Sequence, residues 1–265
     1  MRVLIDSNGL QARVHAQDGR RLSALLERLE TLPQCAVRFS APGPLTAAAL
    51  RESDVLVVTT RRGEECAYTE EELAHIPAWV RRGGGLLLMS GHGDIPGRPY
   101  PDMTKHYAQL ARRFGIEIEN SFFASPVWGQ LVELSGESLL ASHPIISGGA
   151  RERPVRSLVT RNCCSIICAA GAALVSLTKA MVDYRNGLPA QCRHFAVALD
   201  AGAADAADLG GRVVVVANSG LIGTEGTQFP GLGLIEKGDN RIFLKNAVRW
   251  LANLNSVRRR NADER

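Results

Sequence analysis

Short apolar, β-branched runs alternating with helix-patterned segments predict an α/β fold on a mostly parallel sheet, with a strand-rich extension in the middle of the chain. Three observations carry this expectation. The runs at 54–59 (DVLVVT) and 212–217 (RVVVVA) are apolar along most of their length, as strands covered on both faces are. Leu22, Leu25, Leu26 and Leu29 recur at helical spacing. Between 54 and 89 the pattern reads strand, capped helix, glycine stop, strand.

Taken in order, residues 2–6 form the first strand, a polar loop follows, and the leucine stripe predicts a helix over 20–32 closed by Pro33. Residues 36–40 read as the second strand. The turn-rich APGP at 41–44 leads into a short alanine-rich helix at 45–50, and 54–59 is the third strand. Thr69 followed by Glu70, Glu71 and Glu72 is a helix start: the hydroxyl can accept from an orphan amide, and the carboxylates suit the positive end of the helix dipole. That helix runs to Arg82, where Gly83, Gly84 and Gly85 stop it before the strand at 86–89.

A further helix is expected over 102–114, ended by Gly115, with an alternating strand at 116–119. From 121 to 199 five segments have strand character (130–134, 155–159, 165–169, 173–177 and 195–199) with no helix pattern between them, which reads as antiparallel hairpins or an edge extension. Residues 212–217 form the last buried strand. The closing helix spans 241–254, with Ile242, Leu244, Ala247, Val248 and Leu251 as its buried stripe and Asp239 or Asn240 as its cap.

At 265 residues and 45% apolar composition the chain can bury a sizeable core, and no linker or repeat divides it. One domain over 1–254 and a basic tail over 255–265 are expected. The formal charge of +4 is half tail, because 258–265 hold four arginines against Asp263 and Glu264. The remaining charge and 5% aromatic content give neither a basic face nor stacking platforms, so no nucleic-acid partner is expected. The longest uncharged run, 162–178, is at the lower limit of a membrane span and rich in Asn, Ser, Thr and Gly, so no membrane partner is expected either. The chain opens on a strand pattern, MRVLID, without a signal-peptide pattern, and the expectation is a reduced, cytoplasmic protein. Cys163, Cys164 and Cys168 in NCCSIIC lack zinc-ligand spacing and read as buried thiols.

In open parallel sheets ligands collect outside the carboxyl ends of the strands. Asp6, Ser7 and Asn8 follow the first strand; Thr59, Thr60 and Arg61 follow the third; Ser90, Gly91, His92, Gly93 and Asp94 follow the strand at 86–89; Asn218, Ser219 and Gly220 follow the last. The candidate ligand-binding residues are Asp6, Asn8, Thr60, Arg61, Gly91, Gly93, Asn218 and Ser219. His92, between two glycines, is the candidate acid or base, with Asp94 or Asp6 to orient it and Ser90 as a nucleophile. No metal is assigned, since bringing His92, Asp94 and His106 together has no spacing motif behind it. No cofactor is assigned: Gly91, Gly93 and Gly97 miss the dinucleotide fingerprint by one residue, Pro96, Pro99 and Pro101 block the following helix, and no Walker A sequence is present.

The pieces VLIDSNG, VVTTRRGEECAYTEEELAHIPAWVRRGGGLLLMSGHGD, SHPIISG, GRVVVVANSG and GDNRIFLKNAVRWL occur in an order that resembles the class I glutamine amidotransferase-like superfamily. The likeness is to its nucleophile-free branch, which includes bacterial domains and the amino-terminal domain of an intraflagellar transport protein. It spans most of 1–254 and implies a flavodoxin-like three-layer sandwich. Active members carry a cysteine on the elbow after a strand like LLLM, with His and Glu from a late segment. Here SGHGD has no cysteine, and Asn218 and Ser219 follow the late strand. The resemblance thus implies a domain without glutamine hydrolysis that binds a small polar ligand or a protein partner at the strand ends. A hydrolase using His92, Asp94 and Ser90 or an activated water, and an assembly or scaffold protein, stay open as alternatives, as does homo-oligomerisation.

Overall fold

The computed structural model describes residues 1–149, 152–169, 171–202, 209–224 and 233–263, with side chains as far as Ala252. It is an α/β fold in which helices flank one ten-stranded sheet. Strands β1 (Arg2–Ile5), β2 (Ala36–Phe39), β3 (Val55–Val58), β4 (Gly85–Met89) and β12 (Arg212–Val216) lie side by side in the order 2-1-3-4-12, every neighbour parallel. This is the flavodoxin-like order, in which the chain reverses direction across the sheet between β1 and β3. The expected architecture is therefore present.

The strand-rich middle forms the extension. Strand β11 (His194–Leu199) runs antiparallel to β12, and β8 (Asn162–Cys168) and β9 (Ala172–Ser176) both pair with β11. Beyond β8 come β5 (Ile116–Ala124) and the two-residue edge strand β10 (Val182–Asp183), both antiparallel to their neighbours. A separate two-stranded antiparallel sheet pairs β6 (Val132–Ser135) with β7 (Ser157–Thr160).

Helix α1 (Leu10–Asp18) occupies what the sequence reads as a polar loop, and the predicted 20–32 helix is trimmed to α2 (Ser23–Glu30). The short helix α3 (Ala47–Arg51) precedes β3, and α4 (Glu70–Arg81) carries the predicted capping box between Thr69 and Glu72. Helix α5 (Lys105–Arg112) packs on β5, and the single turn α6 (Pro144–Ser147) is capped by the His143 ring, whose nitrogen accepts from the Ile145 amide.

The closing helix α7 (Asn240–Asp263) lies over β4 and β12, burying Phe243, Leu244, Val248 and Leu251. Its helical backbone continues past Leu254 into the segment expected as a basic tail; no glycine or proline interrupts 240–263. The predicted caps serve another purpose. Asp239 Oδ2 accepts from the Arg156 amide and Asn240 Oδ1 from the Val159 amide, pinning β7 to the start of α7. Among the described residues no helix is long and apolar enough to cross a membrane.

Candidate functional site

Asp6 and Arg61, both placed among the ligand-binding candidates, are buried against each other. Arg61 Nε donates to Asp6 Oδ2 at 2.8 Å, and its terminal nitrogens donate to the two oxygens of Glu72 on α4 at 2.8 and 3.3 Å. The Tyr68 ring covers the guanidinium, 4.0 Å from carbon to centroid, and the Tyr107 hydroxyl accepts from the Arg61 amide. Arg61 and Asp6 are 2% and 0% exposed, so the charges that follow β1 and β3 are used in holding those strand ends to α4. Burial pushes the Glu72 carboxyl up, but hydrogen bonds from Arg61 and from the Leu45 and Thr69 amides outweigh it and hold it below the usual range. Asn8 joins the same structure from outside, donating through its amide group to Asp6 Oδ1 at 3.2 Å and to the Gly43 carbonyl at 2.8 Å.

Above this cluster a cleft of about 140 Å³ opens at the carboxyl edge of the parallel strands. It is lined by Leu10 and Gln11 after β1, Thr60 after β3, Gly91 and His92 after β4, Asn218, Ser219 and Gly220 after β12, and by Arg21, Met103, Arg161, Asn162 and Leu234. The predicted Thr60, Gly91, His92, Asn218 and Ser219 thus share one space. Their polar atoms are linked. Gln11 Nε2 donates to Ser219 Oγ at 2.9 Å, Ser219 Oγ lies 2.5 Å from Thr60 Oγ1, and Thr60 Oγ1 donates to the Ser90 carbonyl at 3.1 Å. Asn218 ties the wall together, donating to Thr160 Oγ1 at 3.0 Å and accepting from the Gly220 amide at 2.5 Å.

The SGHGD segment divides at His92. Its ring packs 4.8 Å from Phe122 and 5.8 Å from Tyr100, centroid to centroid, and Nδ1 lies 2.8 Å from the Gly93 carbonyl. A carbonyl can only accept, so Nδ1 carries the proton and Nε2 is the acceptor nitrogen. Burial pushes the His92 pKa down and keeps the ring neutral near pH 7.

Asp94 turns away from this pair: its Oδ1 accepts from Arg185 Nε at 2.7 Å and from Asn120 Nδ2 at 2.8 Å. These donors, Arg185 first, hold its carboxyl below the usual range. Ser90 is fully buried, its amide donating to Val216 and its carbonyl accepting from Thr60 and the Ser219 amide. The sequence-level grouping of His92 with Asp94 and Ser90 therefore has no hydrogen-bonded counterpart among the described residues. His106, the other metal candidate, has Nε2 3.1 Å from the Gly63 carbonyl, and no group of His, Cys, Asp and Glu among the described residues could hold a metal ion.

The two glycines beside His92 admit neighbouring chain. A Cβ on Gly93 would stand 2.6 Å from the Ser121 amide nitrogen, and one on Gly91 2.7 Å from Met103 Cβ. Cys163 and Cys164 are fully buried in β8; burial pushes both thiols up, Cys164 to about 12, which keeps them protonated and unreactive.

Gln11, Arg21, Arg161 and Asn162 are cleft residues that sequence reasoning missed. Gln11 stands one residue beyond the start of α1, the helix with no sequence signature, so its place at the edge of the sheet is visible only once that helix is drawn. Arg161 and Asn162 lie between β7 and β8 or at the start of β8, in the part of the chain where pairing could not be read.

No protein-family model matches the chain, and no curated protein matches it. Solved structures do. The mmIFT52 N-terminal domain superposes with a TM-score of 0.64 at 15% identity, covering 95% of this chain and 97% of that one. Cytoplasmic protein STM1381 from Salmonella typhimurium LT2 gives 0.55 at 16% identity, with 97% and 99% covered. A ThuA-like protein from Bacteroides uniformis gives 0.52 at 13% identity, with 95% and 91% covered. At these identities the likeness is one of fold.

Proposed function

We propose that this chain is a nucleophile-free, class I glutamine amidotransferase-like domain that binds a small polar ligand in the cleft at the carboxyl ends of β1, β3, β4 and β12. The observation that carries the reading is the convergence there of hydrogen-bonding side chains from segments distant in sequence, Gln11, Thr60, His92 and Ser219, around one open space. The cleft lies beside the β1/β3 reversal, where folds of this order place their ligands. Binding is favoured over hydrolysis by the state of the hydroxyls: Ser90 is buried, and Ser219 lies in a chain of hydrogen bonds that ends on a carbonyl rather than a base. Isothermal titration against metabolite and glycan panels tests it. A bound compound is expected to lose about tenfold in affinity on His92→Ala, the worth of one hydrogen bond of roughly 1.4 kcal/mol. Unchanged affinity removes His92 from the site, and silence across the panels overturns the reading.

A protein partner is the second reading, favoured by the loop after β5, where Val127, Trp128 and Leu131 are 56%, 42% and 40% exposed within five residues. Light scattering of the full chain and of Trp128→Ser tests self-association through this loop: a concentration-dependent mass in the parent that the variant lacks supports it, and identical monomeric masses refute it.

A further inference from the structure

The hydrogen-bond chain on the cleft floor has a single possible direction. The Ser90 carbonyl can only accept, so Thr60 spends its one hydroxyl proton there. The bond between the Ser219 and Thr60 hydroxyls must then be donated by Ser219. With that proton committed, Ser219 Oγ has only lone pairs left for Gln11, which fixes Nε2 as the amide atom 2.9 Å away. Flipping the amide would set two acceptors face to face. Gln11 Oε1 is therefore held on the other side of the group, and it has no hydrogen-bond partner among the described residues, although Gln11 is only 5% exposed.

A buried acceptor left without a donor costs about 1–3 kcal/mol, so a ligand that donates to it, once a small shift of Gln11 opens the atom to the cleft, gains by up to the same margin. His92 offers a second acceptor on the same cleft. With Nδ1–H turned to the Gly93 carbonyl, Nε2 has a lone pair and no partner among the described residues.

We infer that the cleft takes a small polyhydroxylated molecule, one hydroxyl donating to Gln11 Oε1 and another to His92 Nε2. The inference rests on the ligand-binding reading above and specifies its ligand. An ammonium could also donate to two acceptors, but Arg21 and Arg161 are both among the lining residues and their charge opposes a cation. A hydroxyl donates to Gln11 or His92 and carries no charge for these arginines to repel. The volume of about 140 Å³ is well above the roughly 10–15 Å³ that a single water needs and leaves room for a short polyol or hydroxy acid.

Amide chemical-shift titration of the full chain with four probes tests the inference: erythritol, glycerate, the fully O-methylated ether of erythritol, and acetate. Saturable shifts confined to Gln11, His92 and Ser219 and their neighbours are expected with erythritol or glycerate, and the stronger of the two tells whether the hydroxyls belong to a neutral or an anionic molecule. The ether is expected to bind at least tenfold more weakly, because it has no hydrogen to donate. Gln11→Met and His92→Phe are each expected to weaken the hydroxylated probe about tenfold. The ether comparison needs no variant, so it decides the matter even where Gln11→Met leaves Ser219 without its donor and the chain does not fold. Equal binding of ether and polyol, or a cleft that responds to acetate alone, overturns the hydroxyl inference and leaves the binding reading standing. A cleft that responds to none of the four overturns both.

Discussion

Replacing Arg61 by Met is expected to destabilise the fold by about 3–5 kcal/mol, the range found when one partner of a buried ion group is removed. The side chain is 1% exposed, and it pairs with two carboxyls, Asp6 and Glu72, of which neither exceeds 1% side-chain exposure. Methionine fills much of the volume, so the loss is electrostatic: two carboxylates remain in a low-dielectric site with no cation between them. Against a total of roughly 5–15 kcal/mol for a domain, this is a large fraction. Urea unfolding at pH 7 measures it as a lower midpoint at unchanged slope. A difference below about 1 kcal/mol would show that the triad contributes little to the fold.

The pH dependence follows from Glu72. Its folded pKa lies below the ordinary 4.5, so its contribution is fully present above that value and is lost as pH falls through the folded one. The gap between parent and Arg61→Met should therefore be widest near neutrality and narrow below about pH 4.5. A gap that holds constant down to pH 3 would sever the link to Glu72.

The parallel half of the sheet was legible because its strands are covered on both faces. Burial of every residue in β3 and β4 demands uninterrupted apolar sequence, and that is what 55–58 and 85–89 show. Helix α4 was equally plain, since its hydroxyl cap and acidic first turn are local chemistry. Helix α1 was not. Leu10, Ala12, Val14 and Ala16 alternate with polar residues at a strand-like period, and the N-cap is Gly9, which has no side chain to cap with, so neither periodicity nor an N-cap marks the helix and only Gly19 signals its end. Gln11 went unseen with it.

The site was legible to the same extent. Strand-end reasoning found Thr60, His92, Asn218 and Ser219, because position after a buried strand determines which edge of the sheet a residue reaches. It could not separate these from Asp6 and Arg61, which leave the same edge but turn inward. That choice depends on Glu72, eleven residues beyond Arg61 on the far side of a turn, and a glutamate read as a capping residue gives no sign that it also neutralises a buried guanidinium. The glycines of SGHGD show the same limit. Absence of a side chain marks a close approach, and the sequence does not say whether a ligand or another strand does the approaching.

That last point gives the second large expected effect, a loss of about 2–3 kcal/mol in Gly93→Ala by overpacking. The added Cβ would meet Asn120 Oδ1 at 2.2 Å, the Ser121 nitrogen at 2.6 Å and the Ser121 oxygen at 2.8 Å. Asn120 can swing aside only by giving up its bonds to Asp94, and the Ser121 backbone has little freedom because its hydroxyl bonds to Ser165 in β8 while its carbonyl accepts from Gly93 itself. The SGHGD loop must therefore move away from β5, carrying His92 off Phe122 and out of its place on the cleft wall. Gly97→Ala is the control for the opposite cause: φ there is +75°, with nothing within 4 Å of the new methyl, so its cost is left-handed backbone strain alone, about 1–2 kcal/mol. Both variants should lower the urea midpoint, but only Gly93→Ala should also shift the amide signals of His92 and its cleft neighbours. A Gly93→Ala chain within about 0.5 kcal/mol of the parent, with those signals in place, would mean that β5 does not press on the loop, and the hold on His92 would have to come from its aromatic contacts alone.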